Sequence, residues 1–208
     1  MCGRFVLMTD LSVMMRNFDV PDTSINFSPS RNVSPGQHIP AVIGSDHGNV
    51  LAFYLWGLIP FWAKDPSIGV KLINARAETL TQKPSFKNAF ATRRCLIPAE
   101  GFYELKKEGN KKIPCCFGLK SGKPFAFAGL YERWITPDKK PLETCTIITT
   151  SANDVVAPIH NRMPVIVPKT AQELWLNPES KDASKLLDIL KPYPADHMEC
   201  KIDDFYLL

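Results

Sequence analysis

The second residue of the chain is a cysteine, followed by Gly3-Arg4-Phe5. An initiator methionine ahead of so small a residue is normally trimmed, which leaves Cys2 with an α-amine and a thiol on neighbouring carbons. An α-amine titrates near ~7.7–8.0 and a thiol near ~8.5, so both keep a reactive fraction at neutral pH. The amine can condense with an aldehyde to a Schiff base, and the thiol can then close a five-membered thiazolidine on the same carbon. A cysteine inside the chain has no such route. On its own, cysteine at position 2 is weak evidence.

Three further polar clusters stand out. Lys71–Thr79 places Asn74, Arg76 and Glu78 at alternate positions after an apolar stretch. Pro98–Glu104 embeds Glu100 and Glu104 in an apolar, strand-like run, and Pro158–Pro164 puts His160 and Arg162 at an expected helix-to-strand turn. Taken singly, each reads as a satisfied buried network, a surface pair or a capped turn. The other cysteines, Cys95, Cys115, Cys116, Cys145 and Cys200, form no C-x-x-C pair. Most lie in apolar runs and read as small buried hydrophobes. With four histidines that supply no zinc set, neither a metal nor another cofactor is expected.

The elements that must position these residues are mostly short strands. Segments rich in β-branched and aromatic residues predict strands over Arg4–Met8, His38–Ile43, Val50–Trp56, Arg94–Pro98, Gly101–Lys106, Ile113–Leu119, Pro124–Trp134, Thr144–Thr150 and Arg162–Val167. Helical spacing is expected over Leu11–Phe18, capped by Thr9 or Asp10, and over Pro84–Phe90, Asn153–Ile159, Thr170–Leu176 and Asp182–Leu190. Eighteen prolines favour turns and sheet edges over long helices. Lys106–Lys112, around Gly109-Asn110, reads as a hairpin tip whose lysines are solvated rather than dedicated to a ligand. The fold class is α+β: a single domain with a mainly antiparallel, barrel-like β core and short peripheral helices. Residues 2–168 form that core, and 169–208 a helical C-terminal appendage packed on it.

The chain's 208 residues are 45% hydrophobic and 22% charged, which is enough for one well-filled core without a staple. A net charge of +4 permits phosphate contacts only where cations cluster on one face. No signal peptide or membrane-length apolar run is legible, so cytoplasmic residence without membrane association is expected.

MCGRF at the start, NVSPGQ at Asn32–Gln37, WGLIPFW at Trp56–Trp62, NARAET at Asn74–Thr79, IPAEGFYE at Ile97–Glu104 and HNRMPVIV at His160–Val167 occur in that order. Together they closely resemble the SOS-response-associated peptidase (SRAP) family, the abasic-site processing proteins, over roughly residues 2 to 168. The resemblance implies a DNA-damage protein that senses abasic sites in single-stranded DNA, acts as a monomer, and associates with the nucleoid on damaged DNA. It implies that Cys2, once Met1 is gone, cross-links to the ring-opened sugar aldehyde and shields the lesion. It also brings abasic-site lyase and self-processing peptidase activities, here on a leader of one residue. The family's active-site Asn, Glu and His fall on Asn74, Glu104 and His160. On that reading Asn74 fixes the attack geometry, Glu104 relays protons, and His160 protonates the opened sugar or assists β-elimination. Resemblance and chemistry together point to Arg4, Arg76 and Arg162 as phosphate ligands, and to Trp62 with Phe61 as a stacking platform. Trp56 reads as core. Leu105 stands where many relatives carry tryptophan after the site Glu, which bears on DNA affinity rather than on the reaction.

Two other classes fit parts of the pattern. An N-terminal-nucleophile cysteine amidase or peptidase on a non-DNA substrate would use Cys2 with its own amine as base. A non-catalytic single-strand binding module would need no covalent bond at all.

Overall fold

The computed structural model describes residues 2–21 and 27–203. Among them the apolar segments form strands β1 (Phe5–Leu7), β2 (Ser30–Val33), β3 (His38–Ser45), β4 (Gly48–Trp56), β5 (Asn74–Arg76), β6 (Arg94–Ala99), β7 (Gly101–Glu108), β8 (Lys111–Leu119), β9 (Phe125–Ile135), β10 (Pro141–Ser151), β11 (Arg162–Pro164) and β12 (Met198–Ile202). Four short α-helices accompany them: α1 (Leu11–Asn17), α2 (Pro84–Thr92), α3 (Lys169–Leu176) and α4 (Ala183–Ile189).

Strands β10, β4, β3, β6 and β9 are neighbours in that order, and β9 pairs back onto β10 from Pro141↔Ile135 to Ile147↔Gly129. This closes a five-stranded barrel and removes its edges. Its pairings are antiparallel except β4–β10, where Leu55↔Thr144 and Trp56↔Cys145 run parallel. A second sheet, ordered β12-β8-β7-β1-β2, meets the barrel through aromatic side chains. Phe5 of β1 lies 5.3 Å from the Trp56 ring and 5.8 Å from Phe127, and Phe102 of β7 reaches Phe127 at 6.2 Å. These rings are fully buried, and each stabilises the joint by roughly 1.5–3 kcal/mol. The α+β class with a barrel-like core and short helices is therefore borne out.

Arg94 fastens the helical C-terminal segment to this barrel. Its guanidinium is buried and donates to five backbone carbonyls, those of Phe90, Ala91, Trp175, Asn177 and Ser180. Trp175 adds its own bond, from Nε1 to the Cys95 carbonyl at 2.9 Å.

Four expectations need correction. Residues 153–159 do not form a helix. Asn153 Oδ1 takes the N–H groups of Val155 (3.2 Å) and Val156 (3.1 Å), and Pro158 has no N–H to continue a helical ladder, so the segment is a run of turns. The segment after residue 168 is not wholly helical, because Met198–Ile202 pairs with β8 along its length; its last five residues, 204–208, lie outside the described residues. The expected strand at Arg162–Val167 stops at Pro164, and Ile166 makes only an isolated bridge with Phe127. Helix α1 starts after Asp10 without a side-chain cap, because Thr9 Oγ1 instead donates to Glu100.

Candidate active site

The start of the chain is held by the strand it leads into. Phe5↔Phe102 and Val6↔Gly101 set the β1–β7 register, and Tyr103 N–H donates to the Arg4 carbonyl at 3.0 Å. Residues 2–4 precede β1 as non-strand backbone. Cys2 is 1% exposed, and its thiol donates weakly to the Arg4 carbonyl at 3.8 Å. Burial first, and the negative charge of Glu104 second, hold this thiol well above its ordinary range, so it is neutral at physiological pH. Glu104 is itself buried, and its charge is felt at Cys2; the structure thus brings these two predicted residues together. The other carboxylate of the same motif, Glu100, is engaged elsewhere: it accepts Met8 N–H at 2.9 Å and the Thr9 hydroxyl.

A second group gathers at the C-terminal end of β10. Asn74 and Arg76 lie beside Ile147 and Thr149 in parallel pairing, while Arg162 and Pro164 lie opposite Ser151 and Thr149 in antiparallel pairing. Asn74 Nδ2 donates to the Ile73 carbonyl at 2.9 Å, which leaves its Oδ1 buried and without a partner among the described residues. That carbonyl also accepts Trp56 Nε1 at 2.9 Å, so the column Phe5–Trp56–Ile73 ties the Cys2 strand to the Asn74 strand. His160 closes the turn after residue 153. Its Nδ1 accepts Arg162 N–H at 2.9 Å, which assigns the proton of the neutral ring to Nε2.

The three predicted phosphate ligands differ in their surroundings. Arg4 is half-buried and donates to Asn32 Oδ1 at 2.8 Å. Arg76 is exposed. Arg162 is held by a partner that the sequence reading missed: its Nη1 and Nη2 donate to Glu78 Oε1 (2.6 Å) and Oε2 (2.9 Å), and Nη2 also to the Thr149 carbonyl (2.6 Å). These bonds hold the Glu78 carboxyl below the usual carboxylate range. Glu78 stands in the NARAET motif, so its presence was legible, but its partner across 84 residues was not.

Phe61 and Trp62 sit on a turn after β4. They are 53% and 47% exposed, whereas Trp56 is buried, as expected for core. The turn is fixed rather than loose. Ala63 N–H bonds to the Pro60 carbonyl, and Trp134 Nε1 donates to the Ala63 carbonyl at 2.7 Å. Gly57 enters the turn at φ +141°, where a Cβ would stand 2.9 Å from the Gly69 carbonyl oxygen; a side chain there is excluded. Among the described residues, no His, Cys, Asp and Glu cluster is arranged to hold a metal ion, and no helix is long and apolar enough to cross a membrane.

A closed barrel carrying a buried cysteine at the second position, with a carboxylate beside it and arginines on adjoining strand ends, defines a class. The chain belongs to the SOS response associated peptidase (SRAP) family, whose model matches residues 1–202. It is 48% identical over 202 residues to the abasic site processing protein YoqW of Bacillus subtilis, covering 96% of this chain and 90% of that protein. It is 30% identical to the abasic site processing protein YedK of Escherichia coli over 89% of this chain and 85% of that one. It is also 31% identical to the abasic site processing protein HMCES of Xenopus tropicalis, over 79% of this chain and 59% of that one. A crystal structure of a protein from Bacteroides thetaiotaomicron superposes with a TM-score of 0.91 at 28% identity, covering all of this chain and 95% of the other.

Proposed function

We propose that the mature chain captures abasic sites in single-stranded DNA through Cys2, forming a thiazolidine cross-link that shields the lesion. The observation that carries this reading is the placement of Cys2: buried just ahead of β1, where the charge of Glu104 reaches it, in a family of abasic site processing proteins. Met1, whose removal the reading requires, lies outside the described residues.

The order of steps follows from the chemistry of ring closure, since the thiol closes the ring on a carbon the amine has already made an imine. Once Met1 is gone, the α-amine of Cys2 adds to the sugar aldehyde, and loss of one water gives the imine. The thiol then adds to the imine carbon and its proton passes to the ring nitrogen, closing the thiazolidine. Glu104 is the group placed to carry protons in these steps. Asn74 presents an unused acceptor, Oδ1, that orients the amine or a sugar hydroxyl. His160, with its Nε2–H, donates to the opened sugar. Elimination from the imine would give the lyase branch, which ring closure suppresses. Arg4, Arg76 and Arg162 hold phosphates, and Phe61 and Trp62 stack bases along the strand. The protein works as a cytoplasmic monomer, and the segment from 169 onwards serves as an appendage of the same domain.

A denaturing gel tests this. The purified protein is incubated with a single-stranded oligonucleotide carrying one abasic site, beside Cys2→Ala and an undamaged oligonucleotide. A shifted band that requires both the abasic site and Cys2 supports capture. Absence of a shift from protein shown by mass to lack Met1 sinks it.

A further inference from the structure

The β7–β8 hairpin projects beyond the start of β1, and its register sorts its charges. Lys106–Lys112 carries four lysines against one glutamate. On the face shared with Glu104, Glu108 compensates two of them: Lys106 Nζ lies 2.5 Å from its Oε1, and Lys111 is directly opposite it in the ladder. On the other face Lys107 is paired directly with Lys112. Like charges in that position are unfavourable. Both side chains are exposed, and neither has an acidic group within 4.0 Å among the described residues. The turn's shape gives no reason for the choice, because Gly109 at φ +59° already supplies the left-handed residue.

The position of this pair gives it a use. Tyr103, Leu105 and Lys107 alternate along one face of β7, and Arg4 is level with Tyr103 on that face. Lys107 and Lys112 therefore stand about 13 Å beyond Arg4 along that face. A nucleic-acid strand that reaches Arg4 on leaving Cys2 can continue along this face to the lysine pair.

We infer that Lys107 and Lys112 form a phosphate-holding arm for the DNA strand leaving the Cys2 site, a contact made by the hairpin tip where Leu105 offers no ring for stacking. The inference rests on the reading that DNA binds at Cys2. It goes beyond the solvated-tip expectation, because lysine against lysine is visible only once the register is known.

The test is fluorescence anisotropy of the full-length protein with an undamaged single-stranded oligonucleotide between 50 and 200 mM salt, where no covalent bond forms. Two lost phosphate contacts make the log–log salt dependence of Lys107→Gln/Lys112→Gln shallower by about 1.4. Over this salt range the parent then loses about sevenfold more affinity than the variant. Lys107→Arg/Lys112→Arg keeps the parental slope, as does Lys120→Gln/Lys123→Gln, two exposed lysines past the other end of β8. A parental slope and affinity in Lys107→Gln/Lys112→Gln overturns the inference, as does an equal change in the Lys120/Lys123 variant. A gel with abasic oligonucleotide, run on the parent alongside, separates the two ideas. Cross-linking with an unchanged variant slope overturns only the lysine arm. A changed slope without parental cross-linking overturns capture and leaves the arm standing.

Discussion

Arg162 is proposed to grip a phosphate, yet its guanidinium is already held by a carboxylate, and the competition can be measured. Both Glu78 oxygens accept from Arg162, at 2.6 and 2.9 Å, while a third bond at 2.6 Å, to the Thr149 carbonyl, keeps the group in place without Glu78. The Glu78 side chain is 52% exposed, so the pair is screened and contributes about 0.2–1 kcal/mol. A phosphate must displace or share that carboxylate. Glu78→Gln is therefore expected to raise affinity for single-stranded DNA by about 1.5- to 5-fold. The assay is anisotropy with an oligonucleotide bearing a tetrahydrofuran abasic analogue, which binds but cannot condense. Arg162→Gln is expected to lower affinity by about tenfold or more, the scale of a charged hydrogen bond. In the double variant the gain from Glu78→Gln should vanish. The pH dependence has a definite sign. Glu78 is held below its ordinary value of 4.5, so its pairing is complete above that pH and is lost as pH falls through the lowered folded value. Neutral solutions thus carry the full competition. A fall in affinity for Glu78→Gln, matching Arg162→Gln, would refute the reasoning and make Glu78 a group that positions Arg162.

Other consequences are direct. Cys2→Ala keeps an α-amine after trimming, so borohydride should still trap an imine with abasic DNA, while no adduct survives denaturation without reductant; an unreduced stable adduct would contradict the role of the thiol. Phe61→Ala and Trp62→Ala should each weaken single-strand binding by about 1–3 kcal/mol and leave thermal stability nearly unchanged, measured by anisotropy and melting. Trp56→Ala should instead cost about 3–5 kcal/mol of stability in a denaturant melt, since that ring is 1% exposed beneath Phe5. Arg94→Met strips the donors from five backbone carbonyls and should lower stability by about 3–5 kcal/mol, a fall in Tm on the order of 10 °C.

The long barrel strands were legible because each carries enough apolar and β-branched residues to announce burial; β9 and β10 are almost wholly buried along their centres. Strands β2, β5 and β12 were not, because three to five residues with one buried side chain apiece leave no period to read. Backbone pairing with distant strands makes them. Residues 153–159 fit a helical spacing, but Asn153 and Pro158 override it locally, and that override is what delivers His160 to the Arg162 N–H. In the site, Cys2 was marked by its chain position together with the ordered motifs that follow it, and the exposure of Trp62 against the burial of Trp56 by their polar and apolar neighbours. The Arg162–Glu78 pair and the diversion of Glu100 to Thr9 were hidden, since each joins segments more than eighty residues apart. Lysine facing lysine at Lys107 and Lys112 was hidden for a simpler reason: a hairpin's face assignment depends on its register, and one residue of slip would exchange the two faces.

The central claim is that the α-amine and thiol of Cys2 together close on the abasic aldehyde. Intact mass spectrometry of the purified cross-link tests it most directly, with and without borohydride, followed by digestion to locate the bond. The account predicts a mass equal to the chain without Met1 plus the oligonucleotide less one water, a bond on the peptide beginning at Cys2, and no gain of two hydrogens on reduction. A bond at any other residue, a retained Met1 in the adduct, or an adduct that takes up two hydrogens would contradict it.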